Sequence, residues 1–335
     1  MKTLVCSSPH LFEYTETEKP AIQPGQTLLK IQRIGVCGTD LHAFEGTQPY
    51  FNYPRILGHE LAAVIEETNA PGFKKGDAVT IIPYFNCGTC IACRKGKPNC
   101  CVSMKVCGVH VDGGMREFLS VPDSSLVNGD GLSLDELALV EPLAIGAHAI
   151  RRAAVEKDEF VLVVGAGPIG LGTMEFARIA GAKVIAMDVQ ESRLEFCKTK
   201  LNIPHTINAK NDVTAELQRI TDGDMPTVVI DATGNLKAIT NAFQYLAHGG
   251  RYVLVGLQKE EISFSHPEFH KRESTLMSSR NATRADFDHV LASMRKKLVD
   301  PATYITHRVG FGEVKDHFNS WLDPKNGVIK AMIGI

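Results

Sequence analysis

Apolar and polar positions follow two different rhythms along this chain of 335 residues. Up to about residue 122 the apolar positions come in short alternating runs, such as 27–31 (TLLKI) and 78–82 (AVTII), punctuated throughout by Gly and Pro. That pattern predicts a β-rich region of short strands. From residue 160 the rhythm changes. Val161, Leu162, Val163 and Val164 form an unbroken run of the kind a fully buried parallel strand needs. An apolar-periodic stretch then predicts a helix to about Ala180, and a second apolar run, 184–187, ends at Asp188. An amphipathic helix over 191–201 and further apolar runs at 227–231, 252–257 and 275–279 continue the alternation. Strand–helix alternation of this kind predicts an α/β fold with a doubly wound parallel sheet, set beside the β-rich region. The short run 262–264 is a further strand candidate.

Between the first buried strand and its helix lie Gly165, Gly167 and Gly170, in G-x-G-x-x-G spacing, with Pro168 and Ile169 opening the helix. Gly165 permits a tight strand-to-helix turn, Gly167 lets the backbone approach a pyrophosphate, and Gly170 lets helix and sheet pack closely. The helix N-terminus offers free N–H groups to an anion. The glycine pattern alone is common, but strand, helix and the terminal acid are all in place, which predicts a dinucleotide site. A carboxylate at Asp188 accepts hydrogen bonds from the ribose hydroxyls of NAD and repels the extra phosphate of NADP. Arg193 lies five positions on and could meet a phosphate, although a surface helix position is the simpler expectation.

The composition, with 44% hydrophobic residues, 22% charged residues and a formal net charge of −2, is that of an ordinary globular protein. No basic excess is available to neutralise nucleic-acid phosphates. No segment has the uninterrupted apolar length of a membrane span, and the acidic, polar start MKTLVCSSPHLFEYTETEKP does not read as a signal peptide. A cytoplasmic location is expected.

Nine cysteines are many for such a chain, and clustered thiols in a reducing compartment point to metal or redox work. Cys87, Cys90, Cys93 and Cys101, in C-x2-C-x2-C-x7-C spacing, can close a tetrahedral shell around a structural zinc. Cys100 competes with Cys101 for the fourth place, and spacing favours Cys101. Three cysteines in successive C-x-x-C register fit a redox couple poorly. A more dispersed set comprises Cys37 in GVCGTDLH, His59 and Glu60 in GHE, and Glu141 in VEPLAIGAH. Singly, each has an ordinary explanation: a buried thiol, a core histidine, a helix cap. Together they offer a mixed S/N/O shell suited to a zinc with an open position.

These motifs, in order along nearly the whole chain, resemble the zinc-dependent medium-chain dehydrogenase/reductase family of alcohol, sorbitol and threonine dehydrogenases. The resemblance rests on GVCGTDLHAF, ILGHELAAVI, the cysteine lobe, VEPLAIGAH, VVGAGPIG and VVIDATG. It implies a GroES-like catalytic domain over 1–150, rejoined by 288–335, and a Rossmann NAD-binding domain over 151–287. It also implies two zinc ions per chain, NAD, and catalytic-zinc ligands at Cys37, His59 and Glu141, with Glu60 as an alternating or outer ligand. Cys100 falls on a non-ligand position. Thr39 matches the hydroxyl that takes the alcohol proton, His42 the group that passes it on, and Asp40 a carboxylate that orients His59. GTQPYFNYPRILGHE, CGVHVDGGMREFLSVP, HAIRRAA and FHKRESTLMSSRNAT are similar to the sugar-acid branch, implying a hexonate or other polyol substrate. Arg280, Asn281, His110 and Lys271 are the candidate substrate partners by the same resemblance. A homodimer or homotetramer is implied, with 262–264 able to pair across it. The rival readings are a neutral polyol or L-threonine dehydrogenase and a non-catalytic dinucleotide-binding sensor. The sensor would be expected to lack the ligand set.

Overall fold

A computed structural model of the chain describes residues 1–49 and 51–335. Tyr50, within one of the sugar-acid segments, lies outside the described residues. The chain forms two compact units, Met1–Pro142 with Thr283–Ile335, and Leu143–Ala282. Both divisions fall earlier than the expected 150/151 and 287/288, for identifiable reasons. Helix Val140–Ala153 presents Gly146 to the backbone of Gly172, where an added Cβ would come within 2.6 Å, so most of this helix belongs to the second unit. Helix Arg284–Arg295 is tied into the first unit instead: Arg284 donates to Ser124 O at 3.0 Å and Arg295 to Asp130 O at 3.1 Å.

The first unit is built on a seven-stranded sheet. Its long central strand, Gln26–Val36, pairs antiparallel with Glu60–Glu67, with Phe118–Pro122 and with the C-terminal strand Lys330–Gly334. Alternation along Gln26–Val36, shifted by an irregularity between Ile31 and Arg33, brings Leu29, Ile31 and Ile34 into a core shared with Leu61, Ile65, Val79 and Leu119. Two register pairs matter for function. Gly35 stands opposite Glu60, and Val36 stands opposite Ala331. Residues from three distant parts of the sequence thereby meet at one end of the central strand.

The second unit is an all-parallel six-stranded sheet. Its spatial order is His205–Asn208, Lys183–Asp188, Phe160–Val164, Val228–Asp231, Arg251–Leu254 and Thr275–Ser278. This is the 3-2-1-4-5-6 order of a Rossmann fold, expected for strands alternating with helices and right-handed crossovers. The central strands are buried on both faces, as their apolar runs require. The run 262–264 is not a strand. Phe264 stacks on Phe243, with ring centroids 4.7 Å apart at 19°, and also meets Phe269. Within the single chain the apolar signal there is met by aromatic clustering. Among the described residues no helix is long and apolar enough to cross a membrane.

Candidate active site and metal centres

In the cysteine lobe a four-residue helix, Ile91–Arg94, follows Cys90 and carries Cys93, while a short 3-10 turn, Pro98–Cys100, delivers Cys101. The ligand atoms of Cys87, Cys90, Cys93 and Cys101 all lie within 4.8 Å of one another. The Cys90–Cys93 and Cys87–Cys101 sulfur pairs are each 3.5 Å apart. A tetrahedral zinc with Zn–S bonds of about 2.3 Å places its sulfurs about 3.8 Å apart, whereas a disulfide needs about 2.05 Å. Backbone N–H groups already point at the sulfurs: Cys90 N donates to Cys87 at 3.4 Å and Cys87 N to Cys101 at 3.3 Å. Those of Thr89 and Cys90 pull the Cys87 thiol down to about 6. Burial and the neighbouring sulfurs push the Cys93 thiol the other way, up to about 12, so the backbone donors favour the thiolate at Cys87 and not at all four positions. Cys100 is exposed and is not one of the four converging thiols.

The second cluster forms where the central strand ends. Cys37 caps helix Gly38–Glu45, which carries Thr39, Asp40 and His42. His59 and Glu60 enter the neighbouring strand, and Glu141 lies in the first turn of helix Val140–Ala153. The ligand atoms of Cys37, His59 and Glu60 lie within 4.8 Å of one another. Glu141 lies outside that trio, although its charge acts on His59, and its Oε1 accepts the buried Tyr84 hydroxyl.

Glu60 is held differently. Gly35 leaves room for it, since a Cβ there would lie 2.2 Å from Oε2. Both its oxygens accept from Lys330 Nζ, at 2.6 and 2.7 Å, and the same ammonium donates to Val36 O at 3.1 Å. The carboxylate side chain is 0% exposed and the lysine 2%.

Asp40 does not hydrogen-bond His59. The two stand 3.8 Å apart, and the carboxylate accepts instead from Cys37 N at 3.0 Å and Gly58 N at 3.1 Å. Tying down both ligand-bearing segments uses the helix-capping geometry that an Asp at this position favours. Burial pushes Asp40 up, opposed by His59 and these N–H groups. For His59, burial disfavours the charged ring, but Asp40 and Cys37 outweigh it and hold the imidazole well above its usual range. Burial pushes Glu141 up to about 7.

The donor set fits a divalent cation. It gathers a half-buried thiol with a buried imidazole and a buried carboxylate, and His59 Nδ1 is buried with no hydrogen-bond partner. Lys330 can neutralise one carboxylate, and a zinc would offset the remaining negative groups.

In the second unit Gly165 has φ +99°, a backbone that favours glycine at the strand-to-helix turn. A Cβ on Gly170 would lie 1.8 Å from Gly165 O, while one on Gly167 would meet no protein atom within 4 Å. Pro168 and Ile169 open helix Pro168–Ile179, whose N-cap is Gly167. Asp188 ends the second strand, accepting from Ala166 N at 2.7 Å and Gln190 N at 2.8 Å, so the acid also fixes the glycine turn. Arg193 is not a surface residue. It is half-buried, where desolvation lowers its pKa and the Asp188 charge opposes that shift.

The substrate candidates fall in both units. Arg280 and Asn281 follow the edge strand Thr275–Ser278 in the second unit, with Arg280 exposed and Asn281 at φ +55°. Lys271 is exposed at the end of helix His266–Lys271. His110, in the first unit, accepts from Val106 N at 3.0 Å and so closes a turn. Tyr84 and Lys330 escaped the sequence reading. A lysine inside the apolar run VIKAMIGI was the one available signal; Tyr84 had none.

Comparison with known proteins agrees with this architecture. Residues 23–130 match the alcohol dehydrogenase GroES-like domain, and residues 168–296 match the zinc-binding dehydrogenase domain. The chain is 42% identical over 335 residues to an L-galactonate-5-dehydrogenase of Escherichia coli K12, covering 99% of this chain and 98% of that protein. It is 32% identical to a sorbitol dehydrogenase of Halalkalibacterium halodurans, over 93% and 94% of the two chains. The crystal structure of a short chain alcohol dehydrogenase of E. coli CFT073, complexed with NADH, superposes with TM-score 0.92 at 30% identity, covering 100% and 99% of the chains. The chain belongs to the zinc-binding dehydrogenase family. It is an oxidoreductase of the alcohol dehydrogenase type with a GroES-like domain.

Proposed function

We propose that this chain oxidises a secondary alcohol of a sugar acid, an L-galactonate-like hexonate, to the keto acid, using NAD and two zinc ions. The observation that carries the reading is 42% identity, over almost the full length, to an L-galactonate-5-dehydrogenase. Cys37, His59 and Glu141 would hold the catalytic zinc, with Glu60 beside them, and Cys87, Cys90, Cys93 and Cys101 the structural one. When bound, the catalytic zinc supplies Lewis acidity toward the alcohol oxygen and NAD accepts the hydride.

The chain supplies binding, orientation and the proton path. Gly165, Gly167, Pro168, Ile169 and Gly170 would cradle the pyrophosphate, and Asp188 would hold the adenosine ribose with Arg193 alongside. Thr39, half-buried on the first turn after Cys37, would take the alcohol proton. His42 would pass it to solvent, and its surroundings suit the task. Thr47 Oγ1 donates to His42 O at 3.4 Å and stands 3.1 Å from Nδ1, with Glu45 3.4 Å away.

Arg280, with Asn281, is the first candidate for the substrate carboxylate, because ligands of open α/β sheets bind beyond the carboxyl ends of the strands. Losing a charge-assisted contact costs about 1.5–3 kcal/mol, so Arg280→Met should raise KM for the hexonate about 10- to 100-fold. Neutral polyols should be little affected. An unchanged preference for sugar acids over polyols, measured by initial rates of NADH formation, would remove Arg280 from the role. The sorbitol dehydrogenase likeness favours the second reading, a neutral polyol.

A homodimer or homotetramer fits the exposed edge strand Thr275–Ser278 and the 75% exposed Leu257, because an unpaired edge is a template for a second chain. A monomeric mass in light scattering would contradict it. The nine cysteines stand as free thiols among the described residues, as a reducing cytoplasm would keep them.

A further inference from the structure

We propose that Tyr84 is a positioning residue that presents Glu141 to the catalytic metal, by occupying one carboxylate oxygen and leaving the other for the cation. This rests on the reading above that Cys37, His59 and Glu141 hold zinc.

The cluster contains two carboxylates, and the chain treats them unequally. Glu60 is clamped: one ammonium engages both of its oxygens at 2.6 and 2.7 Å, and the pair is closed off from solvent. Its negative charge is already balanced. Glu141 is also buried, at 4% exposure, but receives a neutral partner. Tyr84 lies on the two-residue strand Tyr84–Phe85, which pairs with Lys105–Val106, and is fixed against Phe287 with ring centroids 6.5 Å apart at 74°. Its hydroxyl donates to Glu141 Oε1.

A phenol has a single proton to give, so this bond satisfies Oε1 and leaves Oε2 without a strong partner from Tyr84. A buried carboxylate with one oxygen held by a neutral donor can offer its other oxygen to a metal. Glu60, with both oxygens on Lys330, is not in that state. The two partners therefore divide the work: Lys330 balances the charge of Glu60 within the trio, and Tyr84 fixes the orientation of Glu141 beside it. The bland alternative is that the phenol only satisfies a buried acid and has no bearing on metal. The two differ in what happens to metal affinity.

The test is Tyr84→Phe, which removes the hydroxyl and keeps the ring against Phe287. The zinc-replete protein is dialysed against a graded chelator and its zinc counted per chain, and the cobalt-substituted form is examined by visible absorption. Outer hydrogen-bonding partners of metal ligands typically contribute about 10- to 100-fold in affinity, and a loss of that size is expected at this site alone. The four-cysteine lobe should keep its metal at wild-type chelator concentration, which doubles as the folding control. The cobalt ligand-field bands should also shift. Glu141→Gln should weaken the same site, and adding Tyr84→Phe to it should weaken it little further, because the tyrosine acts through that carboxylate. Wild-type chelator resistance with an unchanged cobalt spectrum would overturn the proposal, and so would full additivity with Glu141→Gln. If the unmutated protein holds zinc in the lobe alone, the underlying site reading fails and the proposal falls with it.

Discussion

Replacing Cys37 with alanine should leave a folded protein that binds one zinc per chain instead of two and still binds NAD. Turnover should fall by about 10^3-fold or more, because a Lewis acid at the reacting oxygen supplies several kcal/mol of transition-state stabilisation. The selectivity follows from the fold. Cys37 sits between the central strand and a short helix of the first unit, and the four lobe sulfurs form a closed set of their own. The glycine turn and Asp188 lie in the other unit, which has its own core. Metal content by elemental analysis, NAD binding by quenching or calorimetry, and steady-state rates check the three parts separately. Retained turnover would remove Cys37 from the catalytic centre. Loss of both metals would mean that the two sites do not fold independently.

The second large effect is on stability. Lys330→Met should destabilise the protein by about 3–5 kcal/mol, because it leaves the Glu60 carboxylate buried without its counter-charge. Methionine fills a similar volume, so packing loss is a minor part. Glu60→Gln added to Lys330→Met should recover much of the loss, because a neutral amide costs far less to bury than an unpaired charge. Urea midpoints of the zinc-replete proteins check both statements. A loss below about 1 kcal/mol, of the size of an exposed ion pair, would show that the pair is solvated in solution.

The parts of this protein that were legible in the sequence are those whose physics is local. The buried strand at Phe160–Val164, its glycine turn and Asp188 lie within one short stretch of chain, so strand, turn and acid announce one another. The cysteine lobe closes over 15 residues, from Cys87 to Cys101, and its spacing is itself the geometry. The rest depended on register. Lys330 reaches Glu60 across 270 positions because Ala331 is paired with Val36 and Gly35 with Glu60. Nothing in a one-dimensional pattern specifies those pairings. The Tyr84–Glu141 contact has the same character, at a separation of 57 positions. Asp40 was expected to orient His59; its carboxylate stands 3.8 Å from His59 Nδ1 and also accepts from two backbone N–H groups, contacts that the sequence did not announce. Arg193 looked like a surface residue because its helix is rich in charge, yet it turns inward beside Asp188. The run 262–264 takes part in an aromatic cluster within the chain, a use of a short apolar stretch that its sequence does not distinguish from a strand.

The central claim is that a zinc-assisted hydride transfer to NAD runs on a sugar acid. It is tested most directly by NADH formation from the zinc-replete protein, with L-galactonate, sorbitol and L-threonine compared at equal concentration. The account predicts NADH from L-galactonate or a related hexonate, with NAD strongly preferred over NADP and with little from sorbitol or L-threonine. Turnover of sorbitol in preference to every hexonate would contradict the sugar-acid reading. No NADH from any secondary alcohol, with both metal sites filled, would contradict the account as a whole.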